Sequence, residues 1–300
     1  GRSGSAYSQM EVIEGRKYIA SLSLFVKFPL IDPGHEGENL VAWTTTPWTL
    51  SCNIAAAVNT DLDYIKIRSN QDGEIYIFAK ENLKFQRLEK QYKENWIDGV
   101  PKLKTLDQIF KERGGYEVIG TVKGADLVGL RYRGPFDELE AQQVKGGYPF
   151  IDEKIKESAV DAHRVIDGGR DERGNAVVTI GEGTGIVHIA PTFGADDDRV
   201  AKQAGIAPLL LIDKAGKQQP MVDKQGKMYL LEDLDPEYVK NFVNVEKYAE
   251  WQGRFVKNAY DDTLTDADTS LDVDIAVGLK ADNKVFKIEK HTHNYPHCWR

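Results

Sequence analysis

Cysteine is almost missing from this chain: Cys52 and Cys298, the two present, stand far apart and make no paired framework. That excludes a disulfide-stapled fold and agrees with a reducing compartment, so a cytoplasmic protein is expected. No run of about 18 apolar residues occurs, so no helical membrane span is expected, and the first thirty residues lack the basic start and apolar stretch of a secretory signal. Positive charge is not in excess either. A net charge of -8 over 300 residues argues against a surface that tracks a long stretch of nucleic-acid backbone, because that affinity comes from lysine and arginine displacing counterions. A single-stranded end reaching a pocket needs few phosphate contacts and stays open as a ligand. Missing too are a Gly-x-x-x-x-Gly-Lys-Ser/Thr loop, dinucleotide spacing in Gly181-Glu182-Gly183-Thr184-Gly185, and a Gly-x-Ser-x-Gly elbow. Covalent catalysis has no support.

What is there suffices for a sizeable core, with 41% apolar residues. Alternating apolar patterns predict strands over residues 22–28, 40–43, 116–122, 164–166, 176–180, 185–190, 208–212 and 285–288, and a hairpin joining 65–68 to 75–78 around Asn70-Gln71-Asp72-Gly73. Helical spacing covers 81–97, 106–113, 195–204 and 236–251. Polar stretches at 168–174 and 261–274 read as exposed loops. Strands and helices do not alternate strictly, so the expected class is α+β: a mixed β-sheet or β-barrel core with helices packed around it. Residues 1–15 are rich in Gly and Ser and read as a connecting segment, 16–290 as one domain, and 291–300 as a second connecting segment.

Two clusters carry chemistry. In Trp43-Thr44-Thr45-Thr46-Pro47-Trp48-Thr49-Leu50, with Asn53 beyond, a strand ends in three hydroxyls beside two indoles, which is a usable small-molecule site or simply a run of ordinary strand residues. In Gly183-Thr184-Gly185-Ile186-Val187-His188, followed by Ala190-Pro191 and Gly194-Ala195-Asp196-Asp197-Asp198, strand, loop and helix start follow in order. That order can bring His188 and a carboxylate to one cleft; the alternative is a core histidine and an aspartate that caps the helix. A metal reading of His188 with Asp196, Asp197 and Asp198 is weak because three consecutive aspartates cannot all face one ion. A zinc reading of His291, His293, His297 and Cys298 lacks a Cys-x-x-Cys partner.

Together the two clusters resemble the connective-peptide editing domain of isoleucyl-tRNA synthetases. Gly124-Ala125-Asp126-Leu127-Val128-Gly129-Leu130-Arg131-Tyr132 with Pro135 and Phe136 is similar to a third family segment, and Lys257-Asn258-Ala259 and 293–300 to the return toward the catalytic domain. Sibling valine and leucine domains generally carry Thr-Thr-Arg-Pro where this chain has Thr45-Thr46-Pro47. Ser51 and Cys52 depart from the family pattern, and the two ATP-binding signatures of a synthetase are absent. The resemblance implies a hydrolase that removes valine from mischarged valyl-tRNA(Ile), and valyl-adenylate as a further substrate, within a parent synthetase. It implies Asp197, Thr45 and Thr46 as catalytic residues and Trp43, Thr44, Asn53 and His188 as substrate-binding ones, with Asp197 on the ammonium group, Trp43 and His188 in the wall, and Thr44, Thr45, Thr46 and Asn53 around the terminal adenosine and a water. No metal or other cofactor is required, and one copy of the chain suffices. The rival readings are a tRNA acceptor-end binding module without hydrolysis and a metal-dependent hydrolase.

Overall fold

The computed structural model describes residues 16–88, 102–138, 159–257, 263 and 268–296. Strand β1 (Arg16–Pro29) sets the plan of the fold, because its centre Leu24-Phe25-Val26-Lys27-Phe28 is buried on both faces. Successive side chains of a strand point to opposite sides. Leu24, Val26 and Phe28 therefore enter a large core with Leu40, Ala42, Ile77 and Ala79, while Phe25 enters a smaller one with Val41, Tyr76, Phe78 and Phe286.

Along the chain follow β2 (Glu38–Thr44), β3 (Ala55–Val58), β4 (Asp63–Ser69), β5 (Ile75–Ala79), β6 (Tyr116–Lys123), β7 (Arg164–Asp167), β8 (Ile186–Ile189), β9 (Leu211–Ile212), β10 (Gln218–Gln219) and β11 (Val285–Pro296). The main sheet has the order β11-β1-β2-β5-β4-β6. Its β2/β5 pair is parallel and its other pairs are antiparallel, so it is the mixed sheet expected; it stays open, and no closed barrel forms among the described residues. A second sheet, β7-β3-β8, runs alongside, with β8 next to β2. The run Ala55-Ala56-Ala57 in β3 is wholly buried, and its short side chains let neighbouring layers approach closely.

Helix α1 (Leu106–Glu112) closes the smaller core with Leu106, Ile109 and Phe110. Thr105 and Gln108 start it with a reciprocal capping box. Beyond it come α2 (Ala195–Gln203), α3 (Pro236–Phe242), α4 (Val245–Ala249) and α5 (Leu271–Ala281). No helix among the described residues is long and apolar enough to cross a membrane.

Several sequence expectations need correcting. The single helix predicted over 236–251 is two, because the Asn244 side chain accepts the Lys247 N–H at 3.0 Å and starts α4 afresh. Residues 176–180 form no strand: Ala176 makes an isolated antiparallel bridge to Arg170, the residues after it are bend and loop, and the Val178 carbonyl is satisfied by the Asn59 side chain at 3.0 Å. Of 208–212 only β9 is strand; Pro208 has no N–H to give, and the Leu209 carbonyl accepts from Thr192 Oγ1 at 2.9 Å. The last four residues of the loop expected over 261–274 are the first turn of α5, which Ser270 caps. Within the helix expected over 81–97 the structure has a 3-10 turn at Lys80–Leu83, and 89–97 lie outside the described residues. Segments 1–15 and 297–300, which hold much of the two expected connecting segments, also lie outside them. β11 runs well past the expected 285–288 and pairs with β1 back to Arg16.

Candidate active site

The threonine-rich run leaves β2 and winds into a 3-10 turn, Pro47–Cys52, with Pro47 at a position whose N–H would be unused anyway. Thr44 Oγ1 accepts the Thr46 N–H at 3.1 Å, and Thr49 Oγ1 donates to the Thr46 carbonyl at 2.8 Å. Thr46 Oγ1 lies 3.4 Å from Thr44 Oγ1 and 3.3 Å from Thr49 Oγ1, so three hydroxyls form one chain. The Thr45 side chain is half-buried, and its hydroxyl bonds to none of the described residues. Of the candidate catalytic threonines, Thr46 is thus held by its neighbours and Thr45 is left available.

The second cluster meets this loop at three points. His188 Nε2 lies 3.1 Å from Thr49 Oγ1 across 139 positions of sequence. The Trp48 ring meets that of Phe193 edge-on at 4.6 Å between centroids. Gly183 lies under Trp43, where an added Cβ would come within 3.2 Å of the indole's own Cβ, so the absence of a side chain sets the closeness. Beside the Trp48 and Phe193 rings opens a cleft of about 1170 Å³, walled also by Thr192, Lys224, Tyr229 and Phe255.

His188 sits in β8 opposite Ala56 and is only 8% exposed. Burial disfavours its charged form and pushes the imidazole down to about 4, so the ring is neutral at neutral pH. Its Nδ1 is buried with no hydrogen-bond partner among the described residues. Asp197, in the first turn of α2, does not cap that helix; Oδ2 reaches back to accept the Ala190 N–H at 2.9 Å. Burial raises its pKa and Asp196 adds to the rise, while the Ala190 N–H pulls it down. The three aspartates take separate partners: Asp196 pairs with Arg199 at 2.9 Å and Asp198 with Lys202 at 2.6 Å. Only Asp197 faces back toward the β8 end.

Asn53, a substrate-binding candidate from the sequence, has its amide engaged within the core. It is 1% exposed, its Oδ1 accepts from the Tyr132 hydroxyl at 2.7 Å, and its Nδ2 donates to the Ala55 carbonyl at 3.0 Å. His163 Nε2 adds a contact at 2.9 Å to the Asn53 carbonyl and stacks on Tyr132. Cys52 is buried beside Met221, and burial pushes its thiol up to about 12, so it stays protonated and makes a poor nucleophile.

Three residues at the site were given no role there from the sequence. Asp272, in the first turn of α5, accepts the Trp48 N–H at 2.9 Å and pairs with Lys257 at 2.8 Å, and Lys257 Nζ also lies 3.5 Å from the Thr45 carbonyl. The third is Thr49, named only as part of its run, although its place three residues after Thr46 in a proline-started turn hinted at the contact. Asp272 and Lys257 lie more than 200 positions from the threonine loop, and no local pattern announces their contact with it, although Lys257 falls in a segment quoted for the resemblance.

Sequence comparison finds relatives over most of the chain. It is 44% identical over 261 residues to an isoleucine–tRNA ligase of Bacteroides fragilis, covering 87% of this chain and 20% of that protein. To the isoleucine–tRNA ligase of Porphyromonas gingivalis it is 38% identical over 296 residues (91% and 22% covered), and to that of Clostridium tetani 32% over 299 (100% and 20%). The chain therefore spans about a fifth of the length of the curated relatives it matches. No family model matches it. Among solved structures, GlLeuRS-CP1 overlaps 89% of this chain and 98% of its own at 13% identity and a TM-score of 0.43. The Plasmodium knowlesi cytosolic leucyl-tRNA synthetase editing domain overlaps 91% and 97% at 12% identity and a TM-score of 0.41.

Proposed function

The chain is homologous to a segment making up about a fifth of the isoleucine–tRNA ligases, and from that footing we propose that it is their editing domain, a hydrolase that clears valine from mischarged valyl-tRNA(Ile). The observation that carries this reading is the meeting of the threonine loop and the β8 cluster at Thr49 and His188, which joins two distant motifs in one site.

In the proposed reaction, water attacks the carbonyl carbon of the ester that joins valine to the terminal ribose. The acyl C–O bond breaks, valine leaves as its carboxylate, and the ribose oxygen regains a proton. Asp197 grips the ammonium group of the valyl moiety; an arriving cation offsets the burial that raises its pKa and keeps it ionised where it is needed. The Thr45 hydroxyl, unengaged among the described residues, faces the adenosine end with Thr44 and Thr46 and positions water at the carbonyl. Neutral His188 and Trp43 form the wall that measures the side chain. Asn53 works from behind, fixing the end of the 3-10 turn through Tyr132 and Ala55. Shape does the selecting: one methylene is worth only about 1–3 kcal/mol to an apolar pocket, isoleucine against valine being the known instance, so a second site must exclude the larger side chain by clash. The domain works as one copy within a larger synthetase.

The test compares release of amino acid from valyl-tRNA(Ile) and isoleucyl-tRNA(Ile) by the wild type and Asp197→Ala, with and without a chelator. Faster release of valine, lost in the variant and indifferent to the chelator, is expected. Binding of the acceptor end without release would make the chain a binding module, and release abolished by the chelator would make it a metal-dependent hydrolase.

A further inference from the structure

The hydrogen-bond geometry around Thr49 determines which nitrogen of His188 carries the proton. A threonine hydroxyl has one proton to donate and lone pairs to accept with. Thr49 Oγ1 spends its proton on the Thr46 carbonyl at 2.8 Å, a group that can only accept. Toward His188 Nε2, 3.1 Å away, the same oxygen must therefore act as acceptor, and Nε2 must carry hydrogen. Because the buried ring is neutral, Nδ1 is left as a lone-pair acceptor. That nitrogen is buried and has no partner among the described residues. A buried acceptor with nothing to bind is uncommon in a folded protein, so the arrangement at Nδ1 is set by the bond that the other nitrogen makes.

We propose that Thr49 is a positioning residue which locks His188 in the Nε2–H tautomer and so fixes the orientation of the ring in the wall that would measure the substrate's side chain. The role of the wall rests on the editing reading above, but the tautomer lock does not. Thr46 strengthens the lock: its carbonyl holds the Thr49 proton, and its own hydroxyl, 3.3 Å from Thr49 Oγ1, can only reinforce the oxygen's role as acceptor when it donates there. The loop that would handle the ester and the wall that would measure the side chain thus share one proton arrangement.

The experiment is nitrogen NMR of the full chain with ¹⁵N-labelled histidine, read beside the kinetics of valyl-tRNA(Ile) hydrolysis, for the wild type, Thr49→Val and Thr49→Ser. Expected is an Nε2–H pattern for His188 in the wild type and in Thr49→Ser, and its loss or mixing with the other tautomer in Thr49→Val. In hydrolysis, Thr49→Val is expected to lower kcat about tenfold with little change in KM, the worth of one hydrogen bond, and Thr49→Ser to restore most of it. A wild-type His188 carrying hydrogen on Nδ1 or on both nitrogens overturns the lock, as does an unchanged pattern in Thr49→Val. Equal kcat in Thr49→Val and the wild type overturns its link to hydrolysis. Should Thr49→Val fail to fold, the wild-type and Thr49→Ser spectra still decide. A chain with no hydrolysis at all but the expected spectra would sink the editing reading and leave the lock standing.

Discussion

Acidification should cost this protein stability through His188. The folded ring takes up a proton only near pH 4, because its site is buried, whereas the unfolded ring does so near the ordinary 6.5. Between those values the unfolded chain binds more protons than the folded one, so stability falls as pH falls, and the contribution is fully present only above the unfolded value. The loss grows to about 2 kcal/mol at pH 5 and about 3 kcal/mol by pH 4. Carboxylates titrate over the same range, so the assay is a difference: urea unfolding of the wild type and His188→Gln at several pH values from 7 to 4. The wild type should lose more stability than the variant by the amounts given, starting near pH 6.5. Parallel pH profiles for the two proteins, or an NMR titration of the folded His188 ring with a midpoint near 6.5, would refute the reasoning.

Asp272→Ala should destabilise the chain by about 2–3 kcal/mol in chemical denaturation, because it strips an acceptor from the Trp48 N–H and a partner from the part-buried Lys257. Asp272→Asn keeps an oxygen for the Trp48 N–H but turns an NH2 toward Lys257, and should cost less than Asp272→Ala; equal losses in the two variants would count against the clamp. Gly185→Ala should lower stability by about 2–3 kcal/mol, read as a fall in Tm, since Gly185 has φ +74° and an added Cβ would strike that of Ala79. Tyr238→Phe should be neutral or stabilising by about 1 kcal/mol, because the Tyr238 hydroxyl is buried with no partner among the described residues; a loss of more than that would reveal a partner.

The candidate site was legible in the sequence wherever its chemistry is local. Trp43 through Thr49 and Gly183 through Asp197 are short runs whose turns and helix start can be read from residue types, and they do meet. The main strands were equally legible, since β1, β2, β4 and β5 carry clean apolar patterns and the turn at Asn70–Gly73 joins the last two antiparallel. What escaped was decided by partners far along the chain. Residues 176–180 look like a strand by alternation, yet the side chain of Asn59 satisfies the Val178 carbonyl instead. The pattern over 236–251 is helical, yet Asn244 supplies a better start than the backbone has continuation. Asp272 belongs to a helix that sequence reading took for loop, and nothing near it announces Trp48 as its partner.

Those long-range contacts bear on how such a site would select. An attractive pocket separates valine from isoleucine weakly, so exclusion must come from walls that do not give, and a wall is only as stiff as what stands behind it. Behind the threonine loop stand two buried braces: Asn53, tied to Tyr132, Ala55 and His163, and Asp272, tied to Trp48 and Lys257. Neither Asn53 nor Asp272 needs to touch a substrate. Under the proposed function, loosening either should therefore damage discrimination before it damages hydrolysis. Asn53→Ala and Asp272→Asn should both raise the release of isoleucine from isoleucyl-tRNA(Ile) relative to valine, with valine release falling less than tenfold. A variant that loses both releases in proportion would show instead that the brace supports the reacting groups and not the wall.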